Sequence, residues 1–247
     1  MDPRPVVVAT RNRHKVEEIR LLLQGLPIRL LSLDEAGVRG ELVEDGETFS
    51  ENAAAKAEQA SRGSGLAALA DDSGLEVDAL GGRPGVRSAR YAGPGATDAA
   101  NNAKLAAEAR AAGLDGTPAR FRCAAALRVP DGEPPLESLL DAGALAGPGG
   151  GRPAEVSLDG RTLVVEGAVE GTLLLEGRGS GGFGYDPHFL LPPLGRTMAE
   201  LAREEKNRIS HRARAFGRMR ALLEALVRGP GAGLPPGGRQ VPGAPAR

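Results

Sequence analysis

The feature that most constrains this chain is a short apolar run, residues 66–70 (Leu-Ala-Ala-Leu-Ala), that feeds directly into Asp71-Asp72-Ser73-Gly74. Such a run, bounded by turn-forming residues, reads as a buried strand, and here it is expected to end at Ala70 in an acidic turn. Adjacent carboxylates at the end of a buried strand repel each other and are poorly hydrated, so something must compensate them. A divalent cation is the usual partner for hard oxygen ligands. A turn in which Asp71 caps backbone amides would account for the same residues without a metal. A second acidic turn, Val43-Glu44-Asp45-Gly46, adds carboxylates that could complete a magnesium site.

Other segments alternate between strand and helix patterns. Residues 5–9 and 28–33 read as strands, and Val16, Ile19, Leu22 and Leu23 fall at helical spacing after the polar turn 10–14. Thr48-Phe-Ser-Glu51 has capping-box spacing and should open an alanine-rich helix to about Ser61. A further helix is expected over 97–112, with Thr97 or Asp98 near its N-cap. Residues 121–129, 162–165 and 168–175 have β character, and Thr197-Met-Ala-Glu200 repeats the capping-box pattern. From Ile209 to Leu226, apolar residues recur every three or four positions, as in one long amphipathic helix. The pattern predicts an α/β protein with a mixed central sheet flanked by helices.

Composition removes several classes of function. The net charge of −1 provides no field for nucleic acid or anionic lipid. The single Cys123 cannot build a disulfide framework or a cysteine zinc cluster. No apolar run approaches the roughly 20 residues of a membrane helix, and the first residues read as a strand rather than a signal, so the cytoplasm is expected. Glycine and proline are in excess (36 and 19 residues), but partly in two places, 147–153 and 229–247. We therefore expect one domain over 1–228, with a glycine-rich surface insertion around 137–163, and a disordered tail over 229–247.

Three further constellations carry chemistry. Thr10-Arg11-Asn12-Arg13-His14-Lys15 joins a strand to a helix, where free backbone N–H groups and the helix dipole favour phosphate. Lys15 and Asn12 could add side-chain donors there, although a solvated turn would read the same. Residues 179–187 are glycine-rich and place Phe183 and Tyr185, two of only seven aromatics, where flat faces could meet a base. A flexible hairpin with aromatics folded onto the core is the plainer alternative. In 203–212, Lys206 is one of only four lysines and His211 one of three histidines. A charged helical face is usually only solvated, yet a lysine in an arginine-rich chain suggests a site for a compact point charge. Arg212 could donate hydrogen bonds to an acceptor-rich base edge. Acids for a metal, cations for phosphates and aromatics for a base are the inventory of a magnesium–nucleoside triphosphate site.

The motifs Thr10-x-Asn12-x-x-Lys15, Thr48-Phe-x-Glu51-Asn52-Ala-x-x-Lys56-Ala57, Ala70-Asp-Asp-Ser-Gly-Leu75 and Gly81-Gly-x-Pro-Gly85 occur in that order. They are followed by Ser88-Ala-Arg-Tyr-Ala-Gly93, Gly181-Gly-Phe-Gly-Tyr-Asp-Pro187 and Glu204-Glu-Lys-x-x-x-Ser-His-Arg212. Together they closely resemble the inosine triphosphate pyrophosphatases, across about residues 5–227. The resemblance implies Mg²⁺-dependent hydrolysis of ITP, dITP and XTP to the nucleoside monophosphate and pyrophosphate, which clears deaminated purines from the nucleotide pool. It also implies a homodimer and an elongated fold with the nucleotide in a cleft between two lobes. By motif, Thr10, Arg11, Asn12, Arg13, His14 and Lys15 would form the triphosphate loop. Glu44 and Asp72 would hold magnesium, with Asp45 or Glu47 possible in place of Glu44. Asp72 would also be the proton acceptor, and Ser73 would touch substrate. Phe183, Gly184, Tyr185 and Asp186 would frame the base, Lys206 would contact the nucleotide, and His211 with Arg212 would read the purine. Two rival readings stay open: a non-enzymatic nucleotide sensor, and a pyrophosphatase for other modified nucleotides. The stretch 137–163 and the tail 229–247 depart from the family pattern.

Overall fold

Three consecutive valines, Val6 to Val8, are all buried, as in a strand covered on both faces. They lie in β1 (Arg4–Val8), which pairs in parallel with β2 (Ile28–Leu31) on one side and β3 (Ala67–Val77) on the other. The structure, a computed structural model, describes residues 2–139, 155–156 and 160–228. Beyond β3 the sheet turns antiparallel through β4 (Pro118–Arg128), β6 (Thr162–Leu173), β7 (Phe189–Leu191) and β8 (Arg196–Thr197). The short β5 (Glu155–Val156) adds to β6, and the strand order is β2-β1-β3-β4-β6-β7-β8. This is the mixed sheet expected. No helix among the described residues is long and apolar enough to cross a membrane.

Helices cover both faces. Between β1 and β3, α1 (Arg13–Leu22) starts after Asn12, and α2 (Phe49–Ser64) is closed at its start by the Thr48–Glu51 capping box. Later come α3 (Asp98–Ala111), α4 (Leu136–Leu139), α5 (Arg203–Ile209) and α6 (His211–Arg228). Ala53, Ala57 and Ala60 of α2 pack on Ala68, Ala70, Ala124 and Ala126, small residues that let the helix lie close to the sheet. On the opposite face, Ile19 and Leu23 join Phe216, Met219, Leu222 and Leu223 over Ala67, Leu69 and Leu127.

Three expectations need correcting. First, the strand expected to stop at Ala70 runs on to Val77, so Asp71-Asp72-Ser73-Gly74 is a strand segment paired with Ala125 to Arg122 of β4. Ladder hydrogen bonds there satisfy the backbone, and no turn needs capping. Because side chains alternate across a strand, Asp71 continues the Ala67–Leu69 row and Asp72 the Ala68–Ala70 row. The two carboxylates face opposite sides of the sheet. Second, the β segments expected at 162–165 and 168–175 are one strand, β6, running through Gly167. Third, the long final helix begins at His211. Ser210 is extended (φ −64°, ψ 158°) and its hydroxyl accepts from Ala213 N, which ends α5 and caps α6. The Thr197–Glu200 capping box closes only a short 3₁₀ turn. The expected insertion lies mostly, and the tail entirely, outside the described residues.

Gly167 explains how α6 reaches the sheet. A Cβ there would lie 2.4 Å from the carbonyl oxygen of His211 and 2.5 Å from Ala215 N, both backbone atoms. The helix therefore seats its first turn against bare strand backbone. Gly167→Ala should destabilise the fold by about 1–3 kcal/mol, the usual cost of overpacking, as read by urea unfolding. An unchanged midpoint would show that α6 does not depend on this seat.

Candidate active site

The site lies where the N-terminus of α1, the middle of β3, the loop 179–187 and the α5–α6 junction meet. Its cavity is lined by Thr10, Asn12, Lys15, Glu44, Lys56, Asp72, Ser73, Phe183 to Asp186, Lys206, His211 and Arg212, among others. Most of the residues expected from sequence are thus brought together. Arg11 and Arg13 are not: they line a separate groove, where Arg11 pairs with Asp34 at 2.7 Å and donates to the carbonyls of Val38 and Gly40. His14 lies just outside the cavity and stacks on Phe183, with centroids 5.4 Å apart and planes 13° apart. Asn12 acts as the N-cap of α1, its Oδ1 accepting from the N–H groups of His14 and Lys15.

On the α6 face of β3, Asp71 is fully buried. Arg212 donates to it through Nε (3.1 Å) and Nη2 (2.8 Å), and Lys15 Nζ lies 3.3 Å from its other oxygen. Burial alone would raise the Asp71 carboxyl, but Lys15, Arg212 and Lys56 outweigh it and hold it well below the usual carboxylate range. Arg212 also donates to Ser73 Oγ at 2.8 Å and to Glu18 Oε2 at 2.5 Å. Four of the five guanidinium N–H groups are therefore committed, leaving one on Nη1. Glu18 binds Lys206 as well (3.1 Å), and Lys206 donates to the buried Asp186 at 2.6 Å. Burial would lift Glu18 too, yet Arg212 and Lys206 together keep it low.

On the α2 face, Asp72 Oδ2 accepts from Asn52 Nδ2 at 3.0 Å and Oδ1 lies 3.2 Å from Lys56 Nζ. Lys56 also contacts Glu44 Oε1 at 2.8 Å. Burial raises the Asp72 pKa by more than Lys56 and Lys15 take back, and Glu44 and Asp71 push the same way. For Lys56, burial is outweighed by Asp72, Asp71 and Glu44, so the ammonium is stabilised. Of the three acids considered in the upstream turn, Glu44 lines the cavity, Asp45 is exposed and Glu47 lines another groove. Glu44 and Asp72 converge on one ammonium beside the cavity. Two carboxylates so placed fit Mg²⁺, which commonly takes one or two from the protein and the remaining oxygens from substrate phosphates and water. Among the described residues no group of three or more His, Cys, Asp or Glu side chains is placed to hold a metal alone.

The far wall is built by the glycine loop and α6. Lys206 Nζ sits 4.6 Å from the Phe183 ring centroid and the Arg212 guanidinium 5.7 Å. Tyr185 donates to the carbonyl of Ser88 at 2.8 Å, and Asp186 Oδ2 accepts from Phe183 N at 2.9 Å. His211 is buried, stacked on Phe121 at 4.8 Å, with no partner for Nδ1. Burial, with Arg212 and Lys206 nearby, drives its pKa well below 6.5 and keeps it neutral.

Lys56, Asn52 and Glu18 were missing from the candidates picked from sequence. Asn52 and Lys56 had a signal: they are four apart on the helix opened by the Thr48 capping box, inside a recognised motif. Glu18 had none, because its partner Arg212 is 194 positions away.

A mixed α/β sheet with two carboxylates and a lysine cluster at one end of a cavity, and an aromatic wall at the other, defines a class of charged-ligand pocket. The comparisons give the family. The Ham1 family model matches residues 6–147 and 152–222, and the chain belongs to that family. A dITP/XTP pyrophosphatase of Geobacter sulfurreducens is 46% identical over 218 residues, 88% of this chain and 96% of that one. The dITP/XTP pyrophosphatase of Bacillus subtilis is 42% identical over 219 residues, 89% and 96% of the two chains. Among solved structures, a HAM1 protein from Coxiella burnetii superimposes with a TM-score of 0.72 at 38% identity, covering 89% of this chain and 98% of that one.

Arg212→Ala would leave Asp71 and Glu18 buried without their main partner, and should cost about 3–5 kcal/mol in urea unfolding. Arg212→Lys should recover little, since one ammonium cannot reproduce the fork. A loss below 1 kcal/mol would show the network to be energetically idle. His211 adds a pH dependence of definite sign. Its folded pKa is depressed, so its contribution is present above the unfolded value of about 6.5 and is lost as pH falls below it. The stability advantage of wild type over His211→Asn should shrink by about 1.4 kcal/mol per pH unit below 6.5; a constant difference from pH 7 to pH 5 would contradict a neutral His211.

Proposed function

We infer that this chain is a nucleoside triphosphate pyrophosphatase that, with Mg²⁺, hydrolyses ITP, dITP and XTP to the nucleoside monophosphate and pyrophosphate. The observation that carries the reading is the two-ended cavity, acids and lysines facing an aromatic, donor-bearing wall, in a Ham1 chain with dITP/XTP pyrophosphatases among its relatives. Clearance of deaminated purines in the cytoplasm follows from that activity. A homodimer belongs to the same reading, as does a pyrophosphatase domain over residues 1–228, with the nucleotide held between two lobes.

Mg²⁺, held by Glu44 and Asp72, would supply charge neutralisation on the phosphate oxygens. Lys15 and Lys56 flank the same end and would stabilise charge developing on the pyrophosphate leaving group. Asp72 would orient the attacking water and take its proton. A carboxylate held at a fixed place beside the phosphates can serve as such a base. At the other end, Phe183 would offer a flat face to the base, while the uncommitted N–H of Arg212 and the third N–H of Lys206 are both donors. A 6-oxo purine presents acceptors to such donors, whereas the 6-amino group of adenine would meet them donor to donor.

The test is purified protein with Mg²⁺ and a panel of ITP, XTP, GTP, ATP and modified pyrimidine triphosphates, following pyrophosphate. ITP and XTP should exceed ATP by about 100-fold or more in kcat/KM, the discrimination that an unpaired buried polar group can produce. Asp72→Asn should lower kcat by ~10²-fold or more. Release of pyrophosphate from no substrate would overturn the reading in favour of a sensor, and preference for a modified pyrimidine would redirect it.

A further inference from the structure

Phe183 and Tyr185 stand on a loop that should not hold one shape by itself. Gly179, Gly182 and Gly184 have φ values of +82°, +72° and +62°. Three left-handed glycines in six residues leave a large conformational entropy to be opposed from outside. At Gly184 a Cβ would meet nothing within 4 Å, so this glycine is required by its backbone angle and not by space.

The restraint on Gly184 comes from a helix that has no part in the chemistry described above. Asp98 Oδ2 accepts from Gly184 N at 2.7 Å, and Asn102 Nδ2 donates to the Gly184 carbonyl at 2.9 Å. Both peptide groups of the loop's tip are thus gripped by the first turns of α3, four residues apart on one helix face. Between them, Asn101 accepts from Ala92 N (2.8 Å) and donates to the Ala89 carbonyl (3.2 Å). That second grip holds the segment bearing Ser88, whose carbonyl receives the Tyr185 hydroxyl.

An acidic residue in a first turn stabilises any helix, which alone would account for Asp98. Asn102 has no such explanation. Asparagine is a poor helix former, and its Oδ1 is buried without a hydrogen-bond partner, which costs free energy. Turning the amide over would set Oδ1 against the Gly184 carbonyl, so the observed orientation is the one that keeps the loop. An alanine at this position would serve the helix better.

We propose that Asp98 and Asn102 are positioning residues for the base-binding loop, setting the Phe183–Tyr185 wall through the Gly184 peptide groups. The proposal rests on the pyrophosphatase reading and deepens it. Asp98 lines the cavity, whereas Asn102 is not among the residues that line it, so Asn102 gives the cleaner test. Asn102→Ala should raise KM for ITP about tenfold, the scale of one lost hydrogen bond to a partly buried peptide group, with kcat falling less than threefold. Inorganic tripolyphosphate, which has no base, should inhibit wild type and variant with the same Ki. Thermal stability should stay level or rise, since the orphaned Oδ1 is removed. In a Phe183→Ala background, Asn102→Ala should add little to KM, because the wall it positions is gone. An unchanged KM for ITP overturns the proposal, and so does an equal loss for ITP and tripolyphosphate. Should Asn102→Ala fail to fold, Asp98→Ala and Asp98→Asn decide. Asparagine retains the acceptor for Gly184 N, so it should recover the KM for ITP that alanine loses; equal values for the two overturn the idea. If wild type releases no pyrophosphate from ITP, the pyrophosphatase reading fails by itself, and ITP binding measured calorimetrically in the same variants still reads the grip.

Discussion

The Arg212 guanidinium, wedged between Asp71 and Glu18, is the contact from which the rest of the site takes its geometry. It links the sheet, α1 and α6, three elements whose sequence positions are far apart. Taking such charges out of water is costly, and a buried ion pair seldom adds much net stability over an apolar alternative. Its value here lies in position. The fork permits one orientation of α6 against β3, and Gly167 lets the helix come close enough for the fork to reach. Lys206, on the preceding short helix, is then fixed by Glu18 and Asp186 beside the Phe183 ring.

Adjacent residues in one strand end with opposite electrostatics for a simple reason. Asp71 sees three cations and no close acid among its leading influences, so its charge is secure. Asp72 shares Lys56 with Glu44 and stands next to Asp71, so burial wins and its proton is held more tightly. The shifts differ because Arg212 hydrogen-bonds Asp71 alone, while Glu44 and Asp71 both press on Asp72.

Much of the fold was legible because its signals are local. The valine run of β1, the Thr48 capping box and the alanine spacing of α2 each point to one structure, and each forms. The Asp71–Gly74 segment misled for an equally local reason: consecutive polar residues after an apolar run look like a turn. What keeps them in the strand is the ladder with β4, a long-range pairing invisible in a window of ten residues. The break at Ser210 was hidden because a one-residue interruption barely disturbs a 3.6-residue period. Sequence brought most of the candidate residues to one site, but it could not show which of their donors and acceptors are already spent within the protein. Arg212 was expected to donate to the base, and four of its five N–H groups are spent on Asp71, Ser73 and Glu18. Such commitments are set by partners up to 194 positions away, and no motif records them.

The alternation of β3 makes the strand a partition one backbone thick. On one side lie charges that must never change if the helices are to stay in register. On the other lie Asp72, Glu44 and Lys56, whose charges line the cavity. The two sets point apart yet stay in electrical touch through that thin wall, since Lys56 also steadies Asp71 and Lys15 also acts on Asp72, so a change of charge at the cavity is felt by the clamp that holds the helices.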